Sequence, residues 1–185
     1  MAIYLDHAST TPLGDTVKQA VIENLEHFGN PSSMHRMGVE SEKKLKAAKR
    51  EICSFLDINE RELIFTSGGT EANNLAILGS VTNRAKDKSR YITTNIEHPS
   101  VLKAFDSLAR QGYDVVYLPV NSVGLIEVDE LKAALNVNTV LVSVMAVNNE
   151  LGSIQPIEAI GEAIYAFNET YQSNIRFHVD GVQAL

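Results

Sequence analysis

The chain has 185 residues, enough for one sizeable core, and its hydrophobic content of 44% with 21% charged residues is ordinary for a globular protein. The net charge of −7 argues against nucleic acid as a partner, because phosphate backbones bind surfaces rich in lysine and arginine. The single cysteine, Cys53, excludes an internal disulfide and a cysteine-rich metal site. It lies on the apolar side of a predicted helix, which indicates a packed thiol.

The sequence also lacks the patterns of secreted and membrane proteins. It does not open on a signal-peptide pattern, and no apolar run approaches the roughly eighteen residues that cross a bilayer. Basic residues between positions 43 and 50 stand beside glutamates at helical spacing, which favours a solvated helix face. We therefore expect a cytoplasmic protein with no nucleic acid, membrane or metal partner.

The predicted elements alternate between helix and strand. After an extended start at 3–5, Asp15 caps a first predicted helix, and a loop at 29–33 precedes a longer helix that continues to Leu56. Downstream, short apolar runs predict strands and the stretches between them predict helices. The strands are 63–66, 91–94, 115–120, 140–146 and 175–179, and the helices are 71–81, 100–111, 129–135 and 157–171.

This order of elements predicts a fold class. Continuous apolar strands separated by helices are typical of a mostly parallel sheet that helices cover on both faces. The predicted architecture is therefore α/β with three layers. In such sheets ligands bind at the carboxyl ends of the strands, so the polar residues that follow each strand are candidate site residues.

The segment 66–74, Thr-Ser-Gly-Gly-Thr-Glu-Ala-Asn-Asn, follows a predicted strand and opens a helix. Glycine lets the backbone approach a ligand closely, and the N–H groups of a helix start favour an anion, so Gly69 and Thr70 are candidate phosphate ligands. The segment is neither a Walker loop nor a G-x-G-x-x-G dinucleotide pattern. An ordinary capped turn has the same composition, so both interpretations stay open for this segment alone.

Three later strands also end in polar residues. His98 could stack on an aromatic ligand or move protons, although a histidine near a helix start is the simpler interpretation. Asn149 lies in an Asn-Asn-Glu turn that could bond a ligand or only close the loop. Asp180 ends an apolar strand, where its partner would be a protonated heterocycle, a basic side chain or a helix start that it caps.

Six ordered motifs resemble the cysteine desulfurases, in the class V aminotransferase branch of the fold-type I enzymes that use pyridoxal 5′-phosphate (PLP). Because the motifs extend over the whole chain, a chance similarity is implausible. They are 4–11, 29–33 with His35, 66–74, 97–100, 147–152 and 178–183.

The resemblance implies a role for each candidate residue. The Gly69–Thr70 pair would bind the cofactor phosphate, and Asn149 would contact the ring oxygen or the substrate. His98 would stack on the pyridine face as the catalytic residue. Asp180 would pair with the ring nitrogen, and Gln183 would donate a hydrogen bond to the phenolate oxygen. A ring kept protonated in this way draws electrons from the substrate's alpha carbon.

The resemblance also implies a domain arrangement. Residues 15–185 would form an incomplete PLP-binding large domain of fold type I, and residues 1–14 would associate with the small domain. The family's Ser-x-His-Lys motif, whose lysine binds the cofactor covalently, and the cysteine that forms the persulfide would lie beyond Leu185. We therefore expect part of a longer enzyme, inactive by itself, in which PLP is non-covalent or absent.

The implied activity of the parent enzyme is release of sulfur from L-cysteine as enzyme-bound persulfide, with L-alanine as the other product. The sulfur would pass to an acceptor protein for iron–sulfur cluster assembly. Open strand edges imply a homodimer or a complementary C-terminal chain. One alternative is a selenocysteine lyase or another class V enzyme. The other, from a different class, is a non-catalytic PLP-binding or dimerisation module.

Overall fold

The computed structural model describes residues 3–81 and 85–184. The chain divides into two compact units, Met1–Phe65 (the first unit) and Thr66–Leu185 (the second unit). All of the candidate site residues belong to the second unit. The association of residues 1–14 with a small domain stays a prediction.

The first unit contains an extended start and two helices, α1 (Asp15–Leu25) and α2 (Arg36–Leu56). Gly14 is the N-cap of α1, so the prediction that Asp15 caps this helix is wrong. Asp15 instead lies within the first turn, where its carboxylate pairs with Lys18 at 3.1 Å. Cys53 is buried in α2, which confirms the packed thiol.

A four-stranded sheet forms the centre of the second unit. Its strands are β1 (Arg90–Thr94), β2 (Asp114–Leu118), β3 (Thr139–Met145) and β4 (Arg176–Asp180), in the order β2-β1-β3-β4. The helices are α3 (Gly69–Leu78), α4 (Pro99–Arg110), α5 (Val128–Ala134) and α6 (Ile157–Tyr171). Each strand pair is parallel, so the four carboxyl ends lie at one edge.

Helices cover both faces of this sheet. Successive side chains of a strand point to opposite faces, and the two cores follow this alternation. Ile92 and Val142 pack with residues of α5 and α6, whereas Tyr91 and Leu141 pack with residues of α3 and α4. The predicted three-layer α/β class is therefore confirmed.

The sequence predicts a further strand at 63–66, and this prediction is wrong. These residues pair with none of the four described strands. A strand is stable only where a neighbouring strand satisfies its backbone N–H and C=O groups. Apolar composition alone does not supply that neighbour. None of the helices in the described part of the chain has the length and apolarity that crossing a membrane requires.

Candidate functional site

Asp180 is the last residue of β4 and lies opposite Met145 of β3. It is only 8% exposed. Its Oδ2 accepts a hydrogen bond from Nδ2 of Asn73 at 2.8 Å, and its Oδ1 accepts one from the backbone N–H of Val182 at 3.1 Å. Among residues 3–81 and 85–184, no lysine, arginine or histidine forms an ion pair with it. The carboxylate is therefore fixed in direction and lacks a cationic partner there.

Asn73 connects this carboxylate to α4. The same Nδ2 also donates to Oγ of Ser100 at 3.0 Å, so each of its two hydrogens has an acceptor. The Ser100 Oγ lies 2.8 Å from Nδ1 of His98, and the Ser100 N–H donates to the same nitrogen at 3.2 Å. Because a backbone N–H can only donate, Nδ1 is the acceptor and Nε2 carries the ring proton. The four residues form one hydrogen-bonded row, which we call the Asp180–His98 row.

Local sequence places these side chains. Asn73 and Ile77 lie one turn apart on α3, and both are buried, so this face of α3 is the inner one. His98 is the N-cap of α4, and Pro99 at the start of that helix favours this backbone geometry. The simpler interpretation of His98 as a helix-start residue thus describes the structure correctly. His98 is nevertheless exposed, which leaves it accessible to a ligand.

The turn before α3 lies against the turn after β4. A Cβ placed on Gly69 would stand 3.1 Å from Cγ2 of Val182, so a side chain there would crowd its neighbour. Ser67 donates to Oε2 of Glu71 through its N–H and its hydroxyl, both at 2.6 Å, and these bonds hold the pKa of that carboxyl below its usual value. Thr70 is exposed in the first turn, where the helix dipole favours an anion. The structure therefore brings the predicted phosphate residues to the end of β4.

The other two predicted residues lie elsewhere at this edge. Asn149 is half-buried in the turn after β3, and its neighbour Asn148 makes the bonds that shape the turn. Gln183 is exposed and lines a groove of about 680 Å³ beside the start of α6. That groove is on the α6 side of the sheet, whereas Asp180 bonds to α3 on the other side. The roles assigned to Asn149 and Gln183 stay predictions.

Comparison with known proteins identifies the family. The family model described as aminotransferase class-V matches residues 3–185. The chain belongs to this family. It is 45% identical to the putative cysteine desulfurase IscS 1 of Bacillus subtilis (strain 168). The match extends over 184 residues and covers 98% of this chain and 47% of that protein. The chain spans about half the length of the curated relatives it matches.

Solved structures agree with this class V assignment. A NifS-like protein superposes with a TM-score of 0.92 at 36% identity, over 100% of this chain and 50% of that chain. A structure described as SspA in complex with cysteine gives a TM-score of 0.89 at 36% identity, over 98% and 51% of the two chains. The fold is therefore that of part of the large domain of fold-type I enzymes, and the class V family implies PLP as the cofactor.

Sequence reasoning missed three polar residues. Two of them, Asn73 and Ser100, belong to the Asp180–His98 row, and the third, Glu97, precedes His98 in the chain. Asn73 and Ser100 lie inside motifs that the sequence analysis did recognise. The signal that could have found them is a polar side chain in the apolar phase of a helix. Ser100, for example, shares the buried face of α4 with Val101 and Ala104.

Glu97 is 4% exposed in the loop between β1 and α4. Its Oε1 accepts hydrogen bonds from Oγ1 of Thr94 at 2.7 Å and from the Met145 N–H at 3.0 Å. Its Oε2 is buried without a hydrogen-bond partner among the described residues. Burial raises the pKa of this carboxyl to about 7, against the effect of the two hydrogen bonds and with a small contribution from the charge of Asp180.

His178 lies two residues before Asp180 on the same face of β4. Its Nδ1 is 2.8 Å from Oγ of Ser143. Burial lowers the pKa of this imidazole, although the charge of Asp180 opposes the effect. His178 is therefore predominantly uncharged at neutral pH and does not neutralise Asp180.

Proposed function

We propose that the second unit binds PLP at the carboxyl edge of its sheet, as the cofactor-binding part of a cysteine desulfurase. The observation that carries this proposal is the Asp180 carboxylate, which is buried, held by Asn73 and the Val182 N–H, and without a cationic partner among the described residues. A buried carboxylate of this kind is stabilised by a positive charge, and a protonated pyridine nitrogen supplies one.

The other predicted site residues would bind the remaining parts of the cofactor. Gly69 and Thr70 would bind the phosphate at the start of α3, where N–H groups without acceptors inside the helix favour an anion. His98 would stack on the ring, Asn149 would contact the ring oxygen or the substrate, and Gln183 would donate a hydrogen bond to the phenolate oxygen. When bound, PLP supplies a ring that accepts electrons from the substrate's alpha carbon.

Each member of the Asp180–His98 row has a defined task in this proposal. Asn73 orients the Asp180 carboxylate, because its other hydrogen is committed to Ser100 and the amide cannot turn without losing a bond. Ser100 occupies Nδ1 of His98, so Nε2 is the ring atom left to exchange a proton with a ligand. The row therefore couples the position of His98 to that of the carboxylate.

L-cysteine is the substrate that we propose for the whole protein. Two of the curated relatives are named as a putative cysteine desulfurase and a cysteine desulfurase, and one solved neighbour is described as a complex with cysteine. Sulfur would leave as enzyme-bound persulfide and L-alanine would remain. We further propose that the whole protein acts as a cytoplasmic homodimer and passes its sulfur to an acceptor protein for iron–sulfur cluster assembly.

Titration of the chain with PLP, followed by the absorbance of the cofactor, tests the binding proposal. We expect saturable binding, and we expect Asp180→Asn to weaken it by about tenfold or more, because a charge-assisted hydrogen bond contributes on the order of 1–3 kcal/mol. Thr70→Ala should weaken it less, and Glu162→Gln on the exposed side of α6 should leave it unchanged. Equal affinity of the parent chain and Asp180→Asn would contradict the proposal.

Borohydride reduction of the loaded chain gives a second measurement. Lys103, the lysine nearest to a motif, is exposed on α4, so we expect the cofactor to remain unlinked and to be lost on denaturation. Intact-mass spectrometry detects a pyridoxyl adduct directly. A specific adduct on one lysine of this chain would contradict the expectation that none of its lysines binds the cofactor covalently.

A further inference from the structure

Glu97 fills a gap in the sheet. The register between β1 and β3 ends at the pair Thr93 and Ser143, so the backbone of β1 does not satisfy the N–H of Met145 two residues later. Oε1 of Glu97 accepts the hydrogen bond from the Met145 N–H instead. The same oxygen accepts a hydrogen bond from the hydroxyl of Thr94 at the end of β1. The Glu97 side chain thereby supplies the acceptor that the backbone of β1 no longer offers to β3.

The bonded end of β3 is also the neighbour of Asp180. Met145 is paired with Asp180 in the parallel register, and the N–H of Ala146 donates to the Asp180 carbonyl at 2.9 Å. The end of β3 is thus held by Glu97 on one side and holds the end of β4 on the other. A change in the Glu97 bonds would therefore move the backbone that carries the Asp180 carboxylate.

The other oxygen of Glu97 indicates its charge state. Oε2 is buried with no hydrogen-bond partner in the described part of the chain, and an ionised carboxylate is costly without one. Asp180 of β4 is the charged group whose field acts on Glu97, and it opposes ionisation. His178, two residues before Asp180 on β4, is predominantly uncharged and adds no positive charge at this end of the strand. Burial, which raises the pKa of Glu97 to about 7, acts in the same direction.

We propose that Glu97 is a positioning residue for Asp180. Glu97 joins the ends of β1 and β3, below neutral pH as an uncharged acid, and leaves Asp180 as the negative charge for a cationic ring. This inference rests on the proposed function, since it takes the protonated ring of PLP as the partner of Asp180. It requires no contact between Glu97 and the cofactor. We expect Glu97→Gln to preserve the positioning role, because glutamine is uncharged and keeps the accepting oxygen. We expect Glu97→Ala to lose it.

The first experiment needs no ligand and compares Glu97→Gln with the parent chain by urea unfolding at several pH values. Because the pKa of Glu97 is raised to about 7, the folded parent chain binds more protons than the unfolded chain between the ordinary glutamate value of 4.5 and that pH. The parent chain should lose stability relative to Glu97→Gln as the pH rises through this window. Glu162→Gln is the control. A difference between parent and Glu97→Gln that does not change with pH overturns the uncharged state.

The second experiment measures binding of pyridoxine 5′-phosphate, which lacks the aldehyde and so cannot link to a lysine. We expect Glu97→Gln to bind within about twofold of the parent chain and Glu97→Ala to bind about tenfold more weakly, because its Met145 N–H is left unsatisfied. Circular dichroism checks the fold, and Glu97→Asp, one carbon shorter, replaces the alanine variant if that one is unfolded.

The outcomes separate this inference from the function on which it rests. Equal binding by the parent, glutamine and alanine variants overturns the positioning role. If the glutamine variant loses as much binding as the alanine variant, the proposal that Glu97 acts as an uncharged acid is overturned. Failure of the parent chain to bind the probe counts against the proposed function, and the unfolding experiment still decides the charge of Glu97.

Discussion

The two units of this chain make different use of apolar residues. In the first unit, the buried residues within the described range are Gly38 and Cys53, and α1 buries none of its side chains. In the second unit, helices on both faces of the sheet enclose two cores. Helical spacing of apolar residues is thus enough to predict a helix but does not show that its apolar face is buried, because burial requires a second surface.

Amide hydrogen exchange should give the largest difference between the units. We expect amides of β3, whose seven residues are all buried, to exchange on the order of a thousandfold or more slowly than amides of α1, because the core opens only with the whole unit. Exchange followed by peptide mass spectrometry measures both in one sample. Similar protection in the two elements would mean that α1 is stabilised as strongly as the core.

A matched pair of leucine substitutions tests burial itself. Leu108 of α4 is 0% exposed and Leu25 of α1 is 75% exposed. We expect Leu108→Ala to lower the free energy of unfolding by about 2–5 kcal/mol, because it leaves a cavity, and Leu25→Ala to change it by less than about 0.5 kcal/mol. Urea denaturation measures both values. A large loss from Leu25→Ala would show that α1 has a buried contact surface in solution.

A matched pair of asparagine substitutions tests the polar contacts. Asn73 is buried and bonds Asp180 and Ser100, whereas Asn24 is exposed on α1 and bonds a carbonyl of its own helix. Asn73→Ala should cost about 1–3 kcal/mol, since it leaves two buried acceptors without their donor, and Asn24→Ala should cost much less. Urea denaturation again applies. Equal costs would mean that the Asp180–His98 row contributes little to stability.

The smallest expected difference between the units lies in how a substitution changes the pH dependence of stability. The lowered pKa of His178 means that the folded chain binds fewer protons than the unfolded chain near and below the usual value of 6.5. The parent chain should therefore lose stability relative to His178→Gln as the pH falls through that region. Leu25→Ala, at an exposed position of the first unit, removes no titratable group and should leave the pH profile of the parent chain unchanged. Unfolding at a series of pH values checks both, and identical profiles would contradict the prediction.

The Asp180–His98 row shows how far sequence motifs predict a site. The sequence indicates that His98 and Asp180 each follow a strand, and parallel pairing brings such positions to one edge of the sheet. It does not indicate Asn73, which joins the two residues from a helix that lies next to them only in the folded unit. Asn148 and Asn149 are a similar case. Their composition predicts a polar turn, but backbone geometry decides that Asn148 is the buried one.

The sequence by itself determined most of the helices and strands and the order in which they alternate. The helix predicted at 157–171 has the observed bounds, Ile157–Tyr171, because side-chain periodicity is a local property of the chain. Tertiary structure decided that residues 63–66 do not join the sheet, since a strand depends on a distant partner. It also decided the raised pKa of Glu97, because the pKa of a carboxyl depends on the burial and hydrogen bonds that the fold assembles around it.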